Sequence, residues 1–424
     1  MISPPYDVID DALQEELYRS SPYNVVRLDY GRVLAGDDEN HNRYTRAADS
    51  LRRWLAEGVL LQDSEPCIYY IEEDYQGELG EPKTRKGFVA TVRLEDPESG
   101  LYLPHEKTLA GPKADRLKLL EGCQANFSPI FSLYDDPAFT VQRDLEPLPR
   151  SRPPLTTVRS REGSVTRLWK VDDPGVIRGL RAAMHLKSFF IADGHHRYET
   201  ALTYRDLRRK ATAGYTGREP WNYVMMYFTN LRSPGLTIFP THRAVFGLPP
   251  VQLDSFLEDV GRFFEVEEVR GDLEALLERL RGHRRDRHAF GLVAQGDPRQ
   301  WVLVLRNEGV MDRLLAGRMP KVLRTLDVTV LHSVILEGIL GIDERAQEEQ
   351  RNLRYVKGAR ELVRSVREAG EFQLGFLMNP TRVDQVKAVA EQRERMPQKS
   401  TFFHPKLVTG LVINPLFGEA QEEA

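Results

Sequence analysis

The sequence predicts an α/β fold, with α+β as the alternative. Short apolar runs of strand length alternate with segments of helical periodicity. Several strand pairs are joined by short polar loops, as hairpins are, and no fixed-period self-similarity occurs, which excludes a repeat architecture. At 424 residues the chain exceeds one small core, and two domains are expected, 1–249 and 250–424. The boundary is placed at Pro249-Pro250, where the pattern changes character.

Taken in order, Pro4-Pro5 forms a fixed turn and leads into a short helix over Asp11–Arg19. Val25-Val26-Arg27-Leu28 is strand-like. A helix from about His41 to Glu57 carries Ala47, Leu51, Trp54 and Leu55 at helical spacing and stops at Gly58. Strands follow at Cys67–Asp74 and Gly87–Leu94, joined by a polar loop over Gln76–Lys86. A helix from Ala114 to about Gln124 precedes a strand at Ile130–Tyr134. Arg143–Pro154 reads as a proline-rich link, Val165–Val171 as a strand and Pro174–His185 as a helix. Phe189-Phe190-Ile191-Ala192 is a buried strand, and Thr200 onward to about Arg209 is helical. Asn222–Asn230 is strand-like, with Thr237–Phe239 expected as its hairpin partner.

Beyond Pro250, amphipathic helices are expected at Leu253–Phe264 and Leu273–Arg281, and the basic run Arg281–Arg287 reads as solvated surface. Phe290–Ala294 and Trp301–Leu305 form a hairpin. Val328–Leu340 is an apolar helix, Phe372–Met378 a strand and Arg382–Glu394 a helix. An extended polar segment closes the chain from Pro397.

Composition narrows the function classes. A hydrophobic content of 41% and a charged content of 29% describe an ordinary soluble protein, and cytoplasmic localisation is expected. A net charge of −4 argues against a dedicated nucleic-acid binder. No apolar run is long enough to span a membrane, and no basic-then-apolar signal opens the chain. The two cysteines, Cys67 and Cys123, exclude a disulfide scaffold and a structural zinc site. Opening on a Pro-Pro turn, its most constrained segment, suggests a start codon placed late and a missing first strand. The mass of the native protein tests that expectation.

Three polar clusters stand apart from amphipathic patterning. In the first, Asp193-Gly194-His195-His196-Arg197, a strand ends in a glycine turn at a helix start. Backbone N–H groups converge there, the helix dipole adds positive potential, and Arg matches phosphate oxygens bidentately. The competing reading is a polar turn in which Asp193 caps the helix and the histidines face water. The second cluster is His105-Glu106-Lys107-Thr108 with Lys113, Asp115 and Arg116. Here Glu106 is the candidate general base, against a salt-bridged loop. The third runs from Pro397 to Lys406, where Lys399-Ser400-Thr401 could bind oxyanions or close a turn, while Phe402-Phe403 packs in a core. Thr241-His242-Arg243 is a weaker fourth. Metal ligation by the adjacent histidines would need partners such as His105, His242 or His404, and no protein-only metal site is expected. No P-loop and no dinucleotide fingerprint is present.

These residues carry a resemblance. Pro4-Pro5-Tyr6-Asp7-Val8-Ile9, His105-Glu106 with Thr108, Pro112-Lys113 with Asp115-Arg116, Asp193–Arg197 and Lys399–Lys406 occur in this order. Together they resemble the bacterial and archaeal family catalogued as domain of unknown function 1015, over nearly the whole chain. That family carries a short segment before the Pro-Pro turn, which fits a late start.

The Asp-Gly-His-His-Arg core is also similar to the ParB/sulfiredoxin superfamily, over part of the chain, and within it to a free-serine kinase that keeps both histidines. Sulfiredoxin has a Cys where this chain has His195, so its reductase chemistry is not implied. The partition proteins add a helix-turn-helix and a basic surface that this sequence lacks.

The resemblance implies a mixed-sheet ParB/sulfiredoxin-like core with an additional C-terminal α+β domain, whose last segment, 397–415, returns to the site. It implies a phosphotransferase moving a phosphoryl group from a nucleotide or pyrophosphate to a small hydroxyl compound such as free serine. Glu106, Asp193 and His196 are the expected catalytic residues, with Mg²⁺ able to sit at Asp193. Gly194, His195, Arg197, His105, Thr108, Lys113, Arg116, Lys399, Ser400, Thr401 and Lys406 are the expected phosphate ligands. The alternative is a ParB-like regulator that binds CTP or ATP with slow or no hydrolysis. A small-molecule substrate is the expected partner; neither a membrane nor nucleic acid is, and the oligomeric state is not readable from the sequence.

Overall fold

The computed structural model describes residues 1–78, 80–104, 110–185 and 187–418, apart from the side chains of Pro97 and Ala110. The chain divides into two compact units. The first comprises residues 1–104, 110–237 and 405–418, and the second residues 238–404. Within the described residues no helix is long and apolar enough to cross a membrane.

The first unit opens with three helices, α1 (Asp11–Ser20), α2 (Val26–Asp29) and α3 (Arg43–Ala56). Asp10 caps α1 by accepting from the Leu13 N–H at 2.8 Å. Asn42 and Thr45 form a reciprocal capping box on α3, and Gly58 follows with φ +69°. Then come β1 (Ile68–Gln76), β2 (Pro82–Arg93), β3 (Tyr102–Pro104), α4 (Ala110–Cys123), β4 (Ala125–Asn126) and β5 (Ile130–Tyr134). Two helical turns, α5 (Thr140–Arg143) and α6 (Leu148–Ser151), lead to β6 (Thr156–Arg159), β7 (Val165–Val171) and α7 (Pro174–Met184). The series ends with β8 (Phe189–Asp193), α8 (His195–Ala211) and β9 (Tyr223–Asn230).

Eight of these strands form one mixed sheet in the order β3-β8-β5-β9-β2-β1-β7-β6. The β3/β8 and β5/β9 pairs are parallel, and the other pairs antiparallel. Tyr70, Phe88, Tyr134, Ile191 and Phe228 belong to one buried cluster, in which the Phe88 and Phe228 rings stack at 5.2 Å. A second cluster joins α2, α3 and α4 through Leu28, Trp54 and Leu119. Burial of these side chains is the main favourable term holding the helices in place.

The second unit is built on a six-stranded antiparallel sheet. Its strands run in the order Phe264–Glu268, Gln300–Leu305, Ala289–Ala294, Leu374–Met378, His242–Val245 and Leu353–Val356. The helices Leu273–Gly282 and Ala359–Arg367 bury Leu276, Leu280, Leu362 and Val366 in the same core as Val293 and Val302.

The mixed α/β class matches expectation, but several local expectations do not. Val25–Leu28 is not a strand. The Asn24 Oδ1 accepts from the Val26 N–H at 3.0 Å and starts a helical turn that buries Val26 and Leu28 completely. The loop expected over Gln76–Lys86 is shorter, because β2 begins at Pro82 and pairs with Gln76. Helix α4 starts at Ala110 rather than Ala114. Helix α8 starts at His195 rather than Thr200, so both histidines and Arg197 occupy its first turn.

Thr237–Phe239 pairs with Phe402–His404, not with β9, whose two edges are taken by β5 and β2. The helix expected over Leu253–Phe264 ends at Gly261, and Phe264 opens a strand instead.

Candidate functional site

The site begins where β8 ends. Phe189–Ala192 are buried, Asp193 is the last strand residue, and Gly194 turns the chain with φ +92°. A Cβ at Gly194 would stand 2.9 Å from the Arg197 guanidinium, so both the backbone angle and the close approach require glycine. Gly194 is the N-cap of the 17-residue α8 and, as a glycine, supplies no side-chain cap of its own. Asp193, the cap in the competing expectation, lies one residue before the N-cap and turns its carboxylate to Arg197 and Lys406. The first-turn N–H groups point out of the helix with the positive end of its dipole behind them.

Asp193 holds two cations. Its Oδ2 accepts from Arg197 Nη2 at 2.9 Å, and its Oδ1 accepts from the Lys406 ammonium. Arg197 Nη1 donates to the Ser128 hydroxyl at 2.9 Å and to the Pro129 carbonyl at 2.6 Å. Burial alone would raise the Asp193 carboxyl, but the charges of Lys406 and Arg197 overcome it and hold the group well below the usual carboxylate range. Lys406 is shifted upward: burial opposes its charge, but Asp193, and Asp7 at 4.0 Å, outweigh that penalty.

The closing segment that delivers Lys406 is stitched into the first unit. Arg85, fully buried and paired with Glu73 at 2.5 Å, donates to the Pro405 carbonyl at 2.6 Å. Ser3 and Thr409 exchange backbone hydrogen bonds of 3.2 and 2.8 Å, and Asn414 pairs with Asn126.

Around this ion triad lies a second charged group. Arg116, on α4, donates to Asp29 at 2.9 Å and to Asp115 at 2.8 and 2.6 Å. Its guanidinium also lies 4.1 Å from the centre of the Tyr6 ring. Asp115 in turn accepts from the Tyr44 hydroxyl at 2.7 Å and from Arg43. Burial raises the Asp29 carboxyl against the pull of Arg116 and Arg197, and burial pushes the Tyr6 phenol up to about 12. Asp29, Arg116, Ser128, Arg197 and Thr200 line a cavity of about 40 Å³. Among the described residues, three polar atoms of this lining have no protein partner: Asp29 Oδ2, Arg197 Nε and Thr200 Oγ1.

The structure brings together, within the first unit, Asp193, Gly194, His195, His196, Arg197 and Lys406, with Arg116 sharing the small cavity with Arg197. Lys113 is tied to α8 through Glu199 at 3.0 Å. Lys399, Ser400 and Thr401 belong to the second unit, where the Ser400 hydroxyl donates to the Pro397 carbonyl at 2.6 Å and closes a turn. His105, Glu106 and Thr108 lie outside the described residues.

Among the described residues no group of three or more His, Cys, Asp or Glu is arranged to hold a metal. Asp193 has both oxygens on cations and does not fit a Mg²⁺ ligand in this arrangement.

Asp29 and Ser128 were not singled out by the sequence, and Tyr6 and Asp7 were read only as part of the opening motif, not as site residues. Asp29 directly follows the run read as a strand, Val25–Leu28, and is buried as the last residue of the helical turn α2. The basic run is solvated as expected, with Arg284, Arg285 and Asp286 exposed, and with His288, Asp327 and Arg382 it lines an open depression of about 290 Å³ in the second unit. Within its walls His288 pairs with Asp327 at 2.6 Å and Arg382 with Asp384 at 3.1 Å, while Arg287 pairs with Glu265 at 3.0 Å. It contains none of the expected site residues.

Fold and site together define a two-unit α/β protein in which a glycine-turned helix head gathers a carboxylate and two cations. The chain belongs to the family described as protein of unknown function DUF1015, whose family model matches residues 1–329. No curated protein matches the chain.

Similar solved structures include a conserved hypothetical protein from Pyrococcus furiosus, 13% identical, with a TM-score of 0.34 over 74% of this chain and 90% of that one. A free serine kinase in complex with AMP is 14% identical, with a TM-score of 0.33 over 74% of this chain and 86% of that one. SbnI from Staphylococcus aureus, truncated at its C-terminus, is 12% identical, with a TM-score of 0.35 over 77% and 87%.

Proposed function

We propose that the protein is a phosphotransferase that moves a phosphoryl group from a nucleotide or pyrophosphate to the hydroxyl of a small acceptor such as free serine. The observation that carries this reading is the arrival of Lys406 at the head of α8, beside Arg197 and Asp193 in the first turn. Helix N–H groups, a guanidinium and an ammonium at one point form a ready phosphate cradle.

In this reading His195, His196, Arg197 and Gly194 hold the donor phosphates, and Asp193 sets the positions of Arg197 and Lys406. Arg116 and Lys113 add positive charge behind them. Glu106 takes the acceptor proton as the acceptor oxygen bonds to phosphorus and the bond from phosphorus to the donor oxygen breaks. Thr108 is assigned to a further phosphate contact, and Lys399, Ser400 and Thr401 to an oxyanion contact of their own within the second unit. Phosphoryl transfer is mostly positioning and charge stabilisation, so cations with one base supply the chemistry. Mg²⁺ accompanying the donor would be held by phosphate oxygens rather than by Asp193 as it stands.

The second reading is a nucleotide-binding regulator with slow or no hydrolysis. It is favoured by the engagement of Arg197 with Ser128, Pro129 and Asp193, which fits holding a ligand as well as turning it over. A thermal-shift screen of nucleotides and pyrophosphate, with and without small hydroxy acids, separates the two. Transfer predicts phosphorylated acceptor in the mixture; the regulator predicts a shift with donor alone and no product.

A further inference from the structure

The second unit contains a buried cation whose placement stability alone does not explain. Arg243 lies on the strand His242–Val245, is 2% exposed, and has no carboxylate partner among the described residues. Its acceptors are all neutral. Nε donates to His332 Nε2 at 3.3 Å, Nη1 to the Thr241 carbonyl, and Nη2 to the Lys399 carbonyl at 3.3 Å. The Tyr355 ring lies 5.1 Å from the guanidinium. Burial pushes Arg243 down to about 10, and burial beside Arg243 keeps His332 neutral, so its Nε2 can accept. His332 sits in a π-helical stretch, Leu331–Glu337, a geometry often found near functional sites. Replacing a buried charge by an apolar side chain of similar volume is often neutral or stabilising, so a lone buried guanidinium is a poor device for stability.

What Arg243 does hold is a loop. Lys399 adopts φ +56°, a left-handed conformation that non-glycine residues take only where the surroundings impose it. Three side-chain hydrogen bonds impose it here. Arg243 holds the Lys399 carbonyl, Thr381 Oγ1 donates to the Ser400 carbonyl at 2.6 Å, and Ser400 Oγ donates to the Pro397 carbonyl at 2.6 Å.

We propose that Arg243 is the positioning residue that sets the Lys399-Ser400-Thr401 loop in its ligand-binding conformation, with His332 as its neutral supporting acceptor. The ligand, an oxyanion of the phosphate class, rests on the reading given under Proposed function, whereas the holding of the loop does not.

The test uses the full chain with Arg243→Met and Arg243→Lys, read by hydrogen exchange and by pyrophosphate-induced thermal shift. Loss of a hydrogen bond of this kind should speed exchange at residues 398–401 by about fivefold or more in Arg243→Met. Exchange in Leu374–Met378 and the melting temperature should be unchanged, or the melting temperature raised. The pyrophosphate shift should shrink in parallel. Arg243→Lys keeps the charge but cannot span all three acceptors, and should loosen the loop less; it decides the matter if Arg243→Met does not fold.

Unchanged loop exchange in the folded variants, or a general loss of protection across the sheet in both, overturns the proposal. If the unaltered protein shows no pyrophosphate shift while the loop loosens as expected, the phosphate reading fails and the positioning role stands.

Discussion

Lys406 meets Asp193 across 213 positions of sequence, its ammonium on Oδ1 while Arg197 holds Oδ2 at 2.9 Å. A carboxylate so placed is not available as a free base or metal ligand. It keeps two cations fixed at the head of α8.

Removing the distant partner tests that role. Lys406→Met leaves Asp193 with Arg197 alone and should cost about 2 kcal/mol, the range for a charge-assisted hydrogen bond in a partly buried setting. Urea denaturation at neutral pH measures it, and a loss below about 0.5 kcal/mol, the scale of an ordinary surface substitution, would show the pair to be ornamental.

The same pair sets an acid limb. The folded Asp193 carboxyl lies below its unfolded value, so its stabilisation is complete above the unfolded pKa of about 4 and is lost as pH falls further. Asp193→Asn should therefore be less stable than the unaltered protein at pH 7, with the gap narrowing steadily below about pH 4. A constant gap from pH 7 to pH 3 contradicts the assignment.

Tyr6 gives the alkaline counterpart. With its phenol pushed up to about 12, the stability it supports is full below the unfolded value and declines as pH rises through that range. Tyr6→Phe should flatten the stability profile above about pH 10 while leaving it unchanged near neutrality. Spectrophotometric titration of the tyrosines provides the direct check.

Arg85 and Glu73 anchor Pro405, next to Lys406, from a position with no solvent access. Breaking one side of such a pair costs about 3–5 kcal/mol. Arg85→Met should lose that much, and the double variant with Glu73→Leu should recover a large part of it, because no lone charge is left buried. No recovery in the double variant would mean that the Pro405 hydrogen bond, not the ion pair, is the main loss.

Gly194→Ala combines a left-handed backbone with a Cβ 2.9 Å from Arg197. Strain in the backbone alone is worth about 1–2 kcal/mol, and Arg197 must move as well. Phosphate-dependent thermal shifts should weaken in this variant more than its modest loss of melting temperature would suggest.

Much of this was legible in the sequence where local chemistry decides the outcome. Gly58 stops the helix read over His41–Glu57, Pro174 opens α7, and the contiguous Asp193–Arg197 motif marks the turn between β8 and α8. Legibility failed where a short run has two solutions. Val25–Leu28 is apolar enough for a strand, but the Asn24 side chain starts a helical turn there and Leu28 packs against α3 and α4. It failed again where partners are distant. Nothing near Thr237 announces Phe402–His404, and nothing near Asp193 announces Lys406, although both ends of the second pair carried motifs of their own. Arg243 was seen as part of a weak cluster, and its role depends on a loop more than 150 positions away.

The central claim is transfer of a phosphoryl group at this site, and phosphorus NMR of the protein with ATP or pyrophosphate and free serine tests it most directly. The account predicts a new phosphomonoester signal that depends on donor and acceptor together. It also predicts a rate at least about a hundredfold lower in folded Arg197→Ala and Glu106→Gln, on the scale of losing one transition-state contact or a catalytic base. Full turnover in both variants, or donor binding without phosphomonoester for any small hydroxyl acceptor, would contradict it.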